Sequence, residues 1–524
     1  MTGARQGITI PELRSPRSAM SQEIELKLSL PRRALPALRR HPLFVAAEKQ
    51  GNAVTLDNTY FDTPDLALKK RKIAVRTRRQ GRVQLQTIKC ETSSAGGLTQ
   101  RPEWEQPYGD SFDFSAVDVP KVRKVLQRHA AALAPVFSTR FRRETRLHAP
   151  ADGVRILMML DTGDIIAGER SEALCELELE LVEGRPQDLL VLARQLAAGL
   201  PLLPDDSSKA ARGFRLHLDQ PVRPQRAEAS GISSDQDPVE AFRTLAFACL
   251  RHWQGNVAGA AAGTDPEYTH QLRVALRRLR SLIRLFTPAL PPTFVEDWSA
   301  RLADNAAAFG AARDLDVLCD ELLLPILDAG SRYTPVEAVA IAELAERAHA
   351  ARKAAYDATR VNIDRAAQGR QLLDLTAALL DLPRNPLIDA ADLGTFARIQ
   401  LDALRKKARR RHAAIAEGVP QTLHALRIAA KRLRYAIEFF SPLLPAKQTE
   451  SFLRSLLHAQ ADLGFVNDVD IARARLAAWA AESAELRAAA AYVCGWHGPR
   501  YLRWSRRAVR ALDRLLDGRP PWAD

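Results

Sequence analysis

Sulfur is scarce in this chain and nowhere organised. Its five cysteines (Cys90, Cys175, Cys249, Cys319, Cys494) are odd in number, widely scattered and never in a C-x-x-C pair. That pattern excludes a disulfide framework and a cysteine-based zinc site, and it suits a reducing compartment. Long apolar runs are missing too. No stretch reaches the roughly 18–20 residues that a membrane helix needs. Residues 1–20 lack the apolar core of a secretory signal and read as a loose extension, with Met20 an alternative start. The expectation is a cytoplasmic protein with no membrane partner. No G-x-x-x-x-G-K-[ST] loop and no H-E-x-x-H helix occurs, which removes P-loop and zincin chemistry. Acidic residues are outnumbered, 62 against 76 basic, for a net charge of +14. Such a field draws polyanions, whether nucleic acid, anionic lipid or polyphosphate.

What is present falls into two regimes, as expected for 524 residues, too long for one core. From about residue 22 to 215 short segments alternate polar and apolar residues: EIELKLSL (23–30), KIAVRTR (72–78), RVQLQTIK (82–89), RILMMLD (155–161) and CELELELV (175–182). Period-two alternation predicts strands. PVRPQRAEASGISSDQD (221–237) reads as a linker. From 238 onward the chain is rich in Ala, Leu and Arg with helical periodicity. The expected divisions are a first domain over 21–218, a linker over 219–237 and a helical domain over 238–516.

The helical half repeats itself. HQLRVALRRLRSLIRLF (270–286) returns as HALRIAAKRLRYAIEFF (424–440), an offset of 424 − 270 = 154. GAARDLDVL (310–318) returns as GFVNDVDIA (464–472) at the same offset, which predicts a duplicated helical bundle with pseudo-twofold symmetry. In the first copy His270, Arg273, Arg277, Arg280 and Arg284 share one stripe; in the second, His424, Arg427, Lys431 and Arg434 do. A solvated basic face, or salt bridges to the Asp314/Asp316 and Asp468/Asp470 pairs, explains one such stripe. Two stripes on one surface suit a polyphosphate chain. They suit single-stranded nucleic acid less well, because it needs aromatic stacking platforms.

In the first half, one face of EIELKLSL carries Glu23, Glu25 and Lys27, and one face of CELELELV carries Glu176, Glu178 and Glu180. Two amphipathic strands with solvated faces would look the same. Converging, however, these glutamates would offer the oxygen ligands that Mg²⁺ or Mn²⁺ favours. Arg76 and Arg78, Lys89, and Arg140 and Arg142 put the opposite charge on other strands, while Arg143 blurs the register of its own. Guanidinium forks and an ammonium suit phosphate oxygens. A closed sheet with acids and bases inside and apolar side chains outside would hold metal and polyphosphate together.

The order of these elements resembles the CYTH superfamily, the triphosphate tunnel metalloenzymes. E-x-E-x-K (Glu23, Glu25, Lys27) is followed by NTYFDT (58–63), the Arg76/Arg78 pair and TIK with Lys89. RPEWE (101–105), the Arg140/Arg142 pair, LDTGDI (161–166), E-x-E-x-E (176–180) and SSKAARGF (207–214), with Lys209 and Arg212, come next. The resemblance implies an antiparallel eight-stranded tunnel that binds triphosphate with Mg²⁺ or Mn²⁺. Carried over by position, Glu23, Glu25, Glu178 and Glu180 are metal ligands, with Glu176 and Asp161 lining the site. Lys27, Arg76, Arg78, Lys89, Arg140, Arg142, Lys209 and Arg212 bind phosphates, and Lys27 favours departure of the leaving phosphate. Glu103 and Glu105 point together, either into the tunnel or into strand-end salt bridges. The doubled H-x-L-R-[VI]-A-x-[RK]-R-L-R motif resembles CHAD domains, helical modules associated with polyphosphate. Its two histidines fit helix packing or phosphate contact. Together the resemblances imply an inorganic triphosphatase with a polyphosphate-binding module, cytoplasmic and able to associate with polyphosphate granules. Adenylate cyclase, thiamine triphosphatase and a non-catalytic polyphosphate scaffold are the rivals, and nucleic acid is the least favoured partner.

Overall fold

The computed structural model describes residues 21–90, 94–229, 231–263, 265–307, 309–329, 335–383, 392–416, 419–481 and 483–523; the extension at 1–20 lies outside them. The chain forms two compact units. The first runs to Arg223 and takes in Gly369–Ala377, and the second comprises Pro224–Gln368 and Ala378–Asp524. No helix or strand occurs among the described residues of 221–237.

The first unit is built on ten strands: β1 (Ser21–Ser29), β2 (Glu48–Lys49), β3 (Val54–Asp62), β4 (Ile73–Gln80), β5 (Val83–Cys90), β6 (Leu98–Pro107), β7 (Ala134–Ala151), β8 (Val154–Ala167), β9 (Arg170–Glu183) and β10 (Leu203–Pro204). Eight of them close into an antiparallel barrel in the order β1-β6-β5-β4-β3-β7-β8-β9, sealed where β1 pairs with β9; β2 and β10 are short additions on β7 and β1. The alternation is inverted relative to an ordinary barrel, whose interior is filled by apolar chains. Leu26 and Leu28 of β1 and Leu177 and Leu179 of β9 point outward and are completely buried.

What buries them is a coat of helices. The unit carries α1 (Leu35–Arg40), α2 (Pro42–Ala46), α3 (Pro120–His129), α4 (Pro186–Ala197) and α5 (Lys209–His217). α4 packs on β1 and β9. Leu126 of α3 joins Phe114 and Val117 over Ile73, Val75, Ile88 and Trp104. α5 begins where the Ser208 side chain accepts the Ala211 N–H. Its Ala210 and Phe214 pack against the inward-facing Tyr60, Phe137 and Ile165, which stops that end of the barrel.

The second unit is helical: α6 (Pro238–Ala262), α7 (Pro266–Phe286), α8 (Pro292–Ala307), α9 (Gly310–Asp316), α10 (Leu324–Asp328), α11 (Pro335–Asn362), α13 (Leu393–Ala413), α14 (Pro420–Phe440), α15 (Ala446–Trp479) and α16 (Ala484–Asp517), together with the ends of α12 (Arg365–Leu380), whose residues Gly369–Ala377 belong to the first unit. Asp237 and Asp265 cap α6 and α7, each followed by a proline whose fixed φ and missing N–H suit a first turn. The repeat copies are α7 and α14, each 21 residues long and each followed by a three-residue 3-10 turn. Their terminal Phe286 and Phe440 meet with ring centroids 5.6 Å apart. Further on the copies diverge. Gly310–Asp316 is a short separate helix running into a π turn, whereas Gly464–Asp470 lies within the unbroken α15.

Gly213 shows how tightly α5 is seated: a Cβ there would fall 1.9 Å from the Phe137 ring. Gly213→Ala should therefore cost about 1–3 kcal/mol of stability and displace Lys209. The check is a thermal melt, and the melting temperature is expected to fall.

Candidate active site: a charged tunnel and a basic cleft

Period two delivers the tunnel lining. Glu23, Glu25 and Lys27 from β1, Arg76 and Arg78 from β4 and Lys89 from β5 face a cavity of about 750 Å³. Arg101, Glu103 and Glu105 from β6, Arg143 from β7, Glu178 and Glu180 from β9 and Lys209 from α5 complete its charged wall.

Two acidic pairs sit directly opposite one another across neighbouring strands: Glu25 faces Glu180, and Asp161 faces Glu176. Like charges in that position are destabilising, and Asp161 and Glu176 are wholly buried. Such carboxylates must be paired. Lys209 Nζ lies 2.8 Å from Asp161 and 2.8 Å from Glu178, and also contacts Glu176. Arg143 lies 2.6 Å from both Asp161 and Glu178. On the other wall Lys89 is 2.8 Å from Glu23 and 3.0 Å from Glu103, and Arg101 is 3.1 Å from Glu23 and also contacts Glu25.

The titration shifts show what remains uncompensated. Burial lifts Glu103 to about 7, and neighbouring Glu23 adds to the lift. Burial alone would raise Glu23 as well, but Lys89 and Arg101 outweigh it and hold that carboxyl far below its usual range. Burial, then Arg76 and Arg143, push the Arg78 guanidinium down to about 10. Arg76 Nε is buried with no hydrogen-bond partner among the described residues. Arg76 and Arg78 reach Glu103 and Glu105 only at 4.0 and 3.9 Å, so acids and bases face one another across this part of the cavity in loose pairs. Oxygens of Asp161, Glu176 and Glu178 come within 4.8 Å of one another, an all-carboxylate set that fits a hard divalent cation.

Most of the residues singled out from sequence meet here, with one correction. Arg140 and Arg142 point out of the barrel, their side chains 72% and 61% exposed. Phe141, Arg143 and Thr145 take the inward positions of β7, so the arginine this strand brings to the cavity is Arg143. Arg212 ties α5 to β9 beside the cavity, donating to Glu172 at 2.7 Å and to Glu176 at 3.4 Å. Arg101 went unrecognised although it shares the period-two face of Glu103 and Glu105. In NTYFDT, Asn58 accepts from Arg78 at 3.0 Å and donates to Thr139 at 3.0 Å. Asp62 instead accepts the Thr63, Leu68 and Lys69 N–H groups and fixes the turn after β3.

In the helical unit the two stripes converge in part. Arg277 of α7 donates to Tyr435 of α14 at 2.8 Å. Burial, then the charges of Arg277, Arg427 and Arg434, push Lys431 down to about 7. Arg273 is held by the Phe309 carbonyl near Asp314. His270, near Arg273 and Arg277, also borders a pocket with Arg313, Asp316 and Tyr356; His424 is exposed against Asn467; and Arg284 lies near Arg280 and near Arg432 of α14. Asp316 and Asp470 accept Tyr356 and Tyr501 hydroxyls rather than stripe cations.

This architecture, a closed strand tunnel followed by a helical module, coincides with two known domain families. Residues 21–214 match the CYTH domain and residues 244–477 the CHAD domain; the protein carries one of each. An inorganic triphosphatase of Haemophilus influenzae is 32% identical over 202 residues, which is 38% of this chain and 56% of that enzyme. The chain therefore spans little more than half of that relative's length. Among solved structures, the CHAD domain of the plant Ricinus communis is 31% identical with a TM-score of 0.45, covering 57% of this chain and 98% of that one. A Hippeastrum protein, described as an adenylyl cyclase candidate with a dominant triphosphatase activity, is 18% identical with a TM-score of 0.29, covering 37% and 95%.

Removing the Lys209 ammonium leaves buried carboxylates unbalanced. Lys209→Met should cost about 3–5 kcal/mol, and Mn²⁺ should raise the melting temperature of this variant more than that of the parent. Melts with Mn²⁺ and with EDTA read both effects.

Proposed function

We propose that the tunnel hydrolyses inorganic triphosphate with Mg²⁺ or Mn²⁺ and that the helical module holds polyphosphate. The observation that carries this reading is the loose pairing in the cavity: Arg76 and Arg78 stand 4.0 and 3.9 Å from Glu103 and Glu105, and the buried Arg76 Nε has no hydrogen-bond partner among the described residues. A metal–triphosphate complex supplies a cation to the acids and anions to the bases. Glu23, Glu25, Glu178 and Glu180 would hold the cation, with Asp161 and Glu176 behind them, and the cation would neutralise phosphate charge and acidify a water. Arg76, Arg78, Arg143 and Lys89 bind phosphate oxygens through charge-assisted hydrogen bonds and stabilise charge spreading over the transferred group. Lys27, whose Nζ now donates to the Ser207 carbonyl, stands at the stopped end and favours departure of the leaving phosphate.

One observation favours a second reading. Val54, Leu56, Val83, Leu85, Leu157 and Met159 also line the cavity. An apolar wall would suit the organic part of ATP or thiamine triphosphate.

Phosphate release from tripolyphosphate, ATP, thiamine triphosphate and long-chain polyphosphate, with Mg²⁺, Mn²⁺ or EDTA, ranks these readings. Metal-dependent release from tripolyphosphate should fall ~10²-fold or more in Glu23→Gln/Glu25→Gln. Arg143→Ala should lose ~10²-fold in kcat/KM, while Arg142→Ala stays near the parent. Equal losses in the two arginine variants would contradict the site. Release from no substrate would sink the hydrolase reading.

The cleft has a pH signature. Lys431 titrates near 7 rather than at its usual 10.5, so its charge is present below 7 and fades as pH rises through 7. Affinity for polyphosphate should weaken between pH 6 and pH 8, and Lys431→Met should flatten that dependence. Because the folded state binds the Lys431 proton less tightly, this group makes folding more favourable as pH rises from about 7 towards 10.5.

A further inference from the structure

Helix α16 carries a basic face that neither the tunnel nor the cleft uses. Trp496, Arg500, Arg503, Arg507, Arg510 and Arg514 follow one another at steps of four and three, and all six are exposed. At 3.6 residues and about 5.4 Å per turn they form one stripe roughly 27 Å long. The stripe lies beyond residue 477, where the CHAD match ends, and it has no place in the internal repeat.

Two of the three acids nearby are already engaged. Asp462 accepts from Arg507 at 2.7 Å, Asp517 pairs with Arg409 of α13 at 2.8 Å, and Asp513 faces His412 at 3.7 Å. Arg503 and Arg510 are left with no carboxylate among the described residues. Aromatic rings are interleaved with this charge. Arg500 lies 3.8 Å from the Trp504 ring centroid and Arg507 5.3 Å from it, while Trp496 is 38% exposed with Tyr492 beside it. The cleft differs, because its Tyr435 ring is buried. A polyphosphate chain has no ring to stack on an exposed indole, whereas a nucleic-acid strand offers a base for every phosphate.

We propose that this face of α16 binds single-stranded nucleic acid, with Arg503 and Arg510 on phosphates and Trp496 stacked on a base. It is a surface separate from the polyphosphate cleft, and its existence does not depend on the tunnel being a triphosphatase.

The test is anisotropy of a labelled, mixed-sequence RNA of about 12 nucleotides against the full chain across a salt series. The same-sequence duplex and long-chain polyphosphate serve as competitors. The parent protein should bind the single strand more tightly than the duplex. Arg503→Ala/Arg510→Ala should reduce the slope of log affinity against log salt by about 1.4, since each phosphate contact on a single strand contributes about 0.7. Trp496→Ala should weaken the oligonucleotide roughly tenfold and leave polyphosphate affinity unchanged. Arg427→Ala/Lys431→Ala should do the reverse. If the alanine pair melts early, Arg503→Gln/Arg510→Gln carries the same test. No binding by the parent, an unchanged slope in the arginine pair, or equal loss of polyphosphate in Trp496→Ala would overturn the proposal.

Discussion

Charge enclosed by a barrel has to be matched, because water cannot do it. Moving a carboxylate out of water costs several kcal/mol even after relaxation, and this barrel turns acidic side chains inward on β1, β6, β8 and β9. Everything else in the first unit answers that constraint. The helices exist in part to cover the apolar outer face that the inversion creates. α5 is threaded against Phe137 at Gly213, which brings Lys209 within reach of three carboxylates. Arg143 and Arg101 close the remaining accounts on the two walls. The matching stays incomplete, and that incompleteness is what a metal and a triphosphate would relieve.

The helical unit applies the same rule with the opposite sign. Lys431 and its neighbouring arginines are half-buried beside one another, and the cost appears as an ammonium that gives up its proton near neutrality. A chain of phosphates would restore that proton. On the proposed reading the two units would bind related polyanions by different means, enclosure with carboxylates in one and a row of cations in the other. α16 adds a third arrangement, arginines in water with indole rings among them.

Much of this was legible in the sequence. Strict period-two alternation in EIELKLSL and CELELELV set both the strands and their inward faces, and the inverted barrel followed from acids and bases sharing those faces. The repeat at offset 154 marks α7 and α14 in the sequence itself. β7 was harder. Arg140, Arg142 and Arg143 occupy both parities, so alternation alone could not pick a side; the choice is made by pairing with β8, where Arg143 stands opposite Asp161. Arg101 opens the RPEWE motif, whose two glutamates carry the more evident signal on the same face. The basic stripes were only partly predictive, because helical spacing fixes a face but not where along the helix another helix crosses. His270 consequently borders a pocket of its own as well as Arg273 and Arg277, and His424 turns to Asn467.

The central claim is that the tunnel's acids and bases hold one another only until a metal and a triphosphate arrive together. Mn²⁺ binding followed by electron paramagnetic resonance, with and without a non-hydrolysable tripolyphosphate analogue, tests it most directly. The account predicts weak Mn²⁺ binding alone and at least tenfold tighter binding with the analogue, because each partner frees the groups that the other needs. Equal Mn²⁺ affinity in both titrations, or no binding in either, would contradict it.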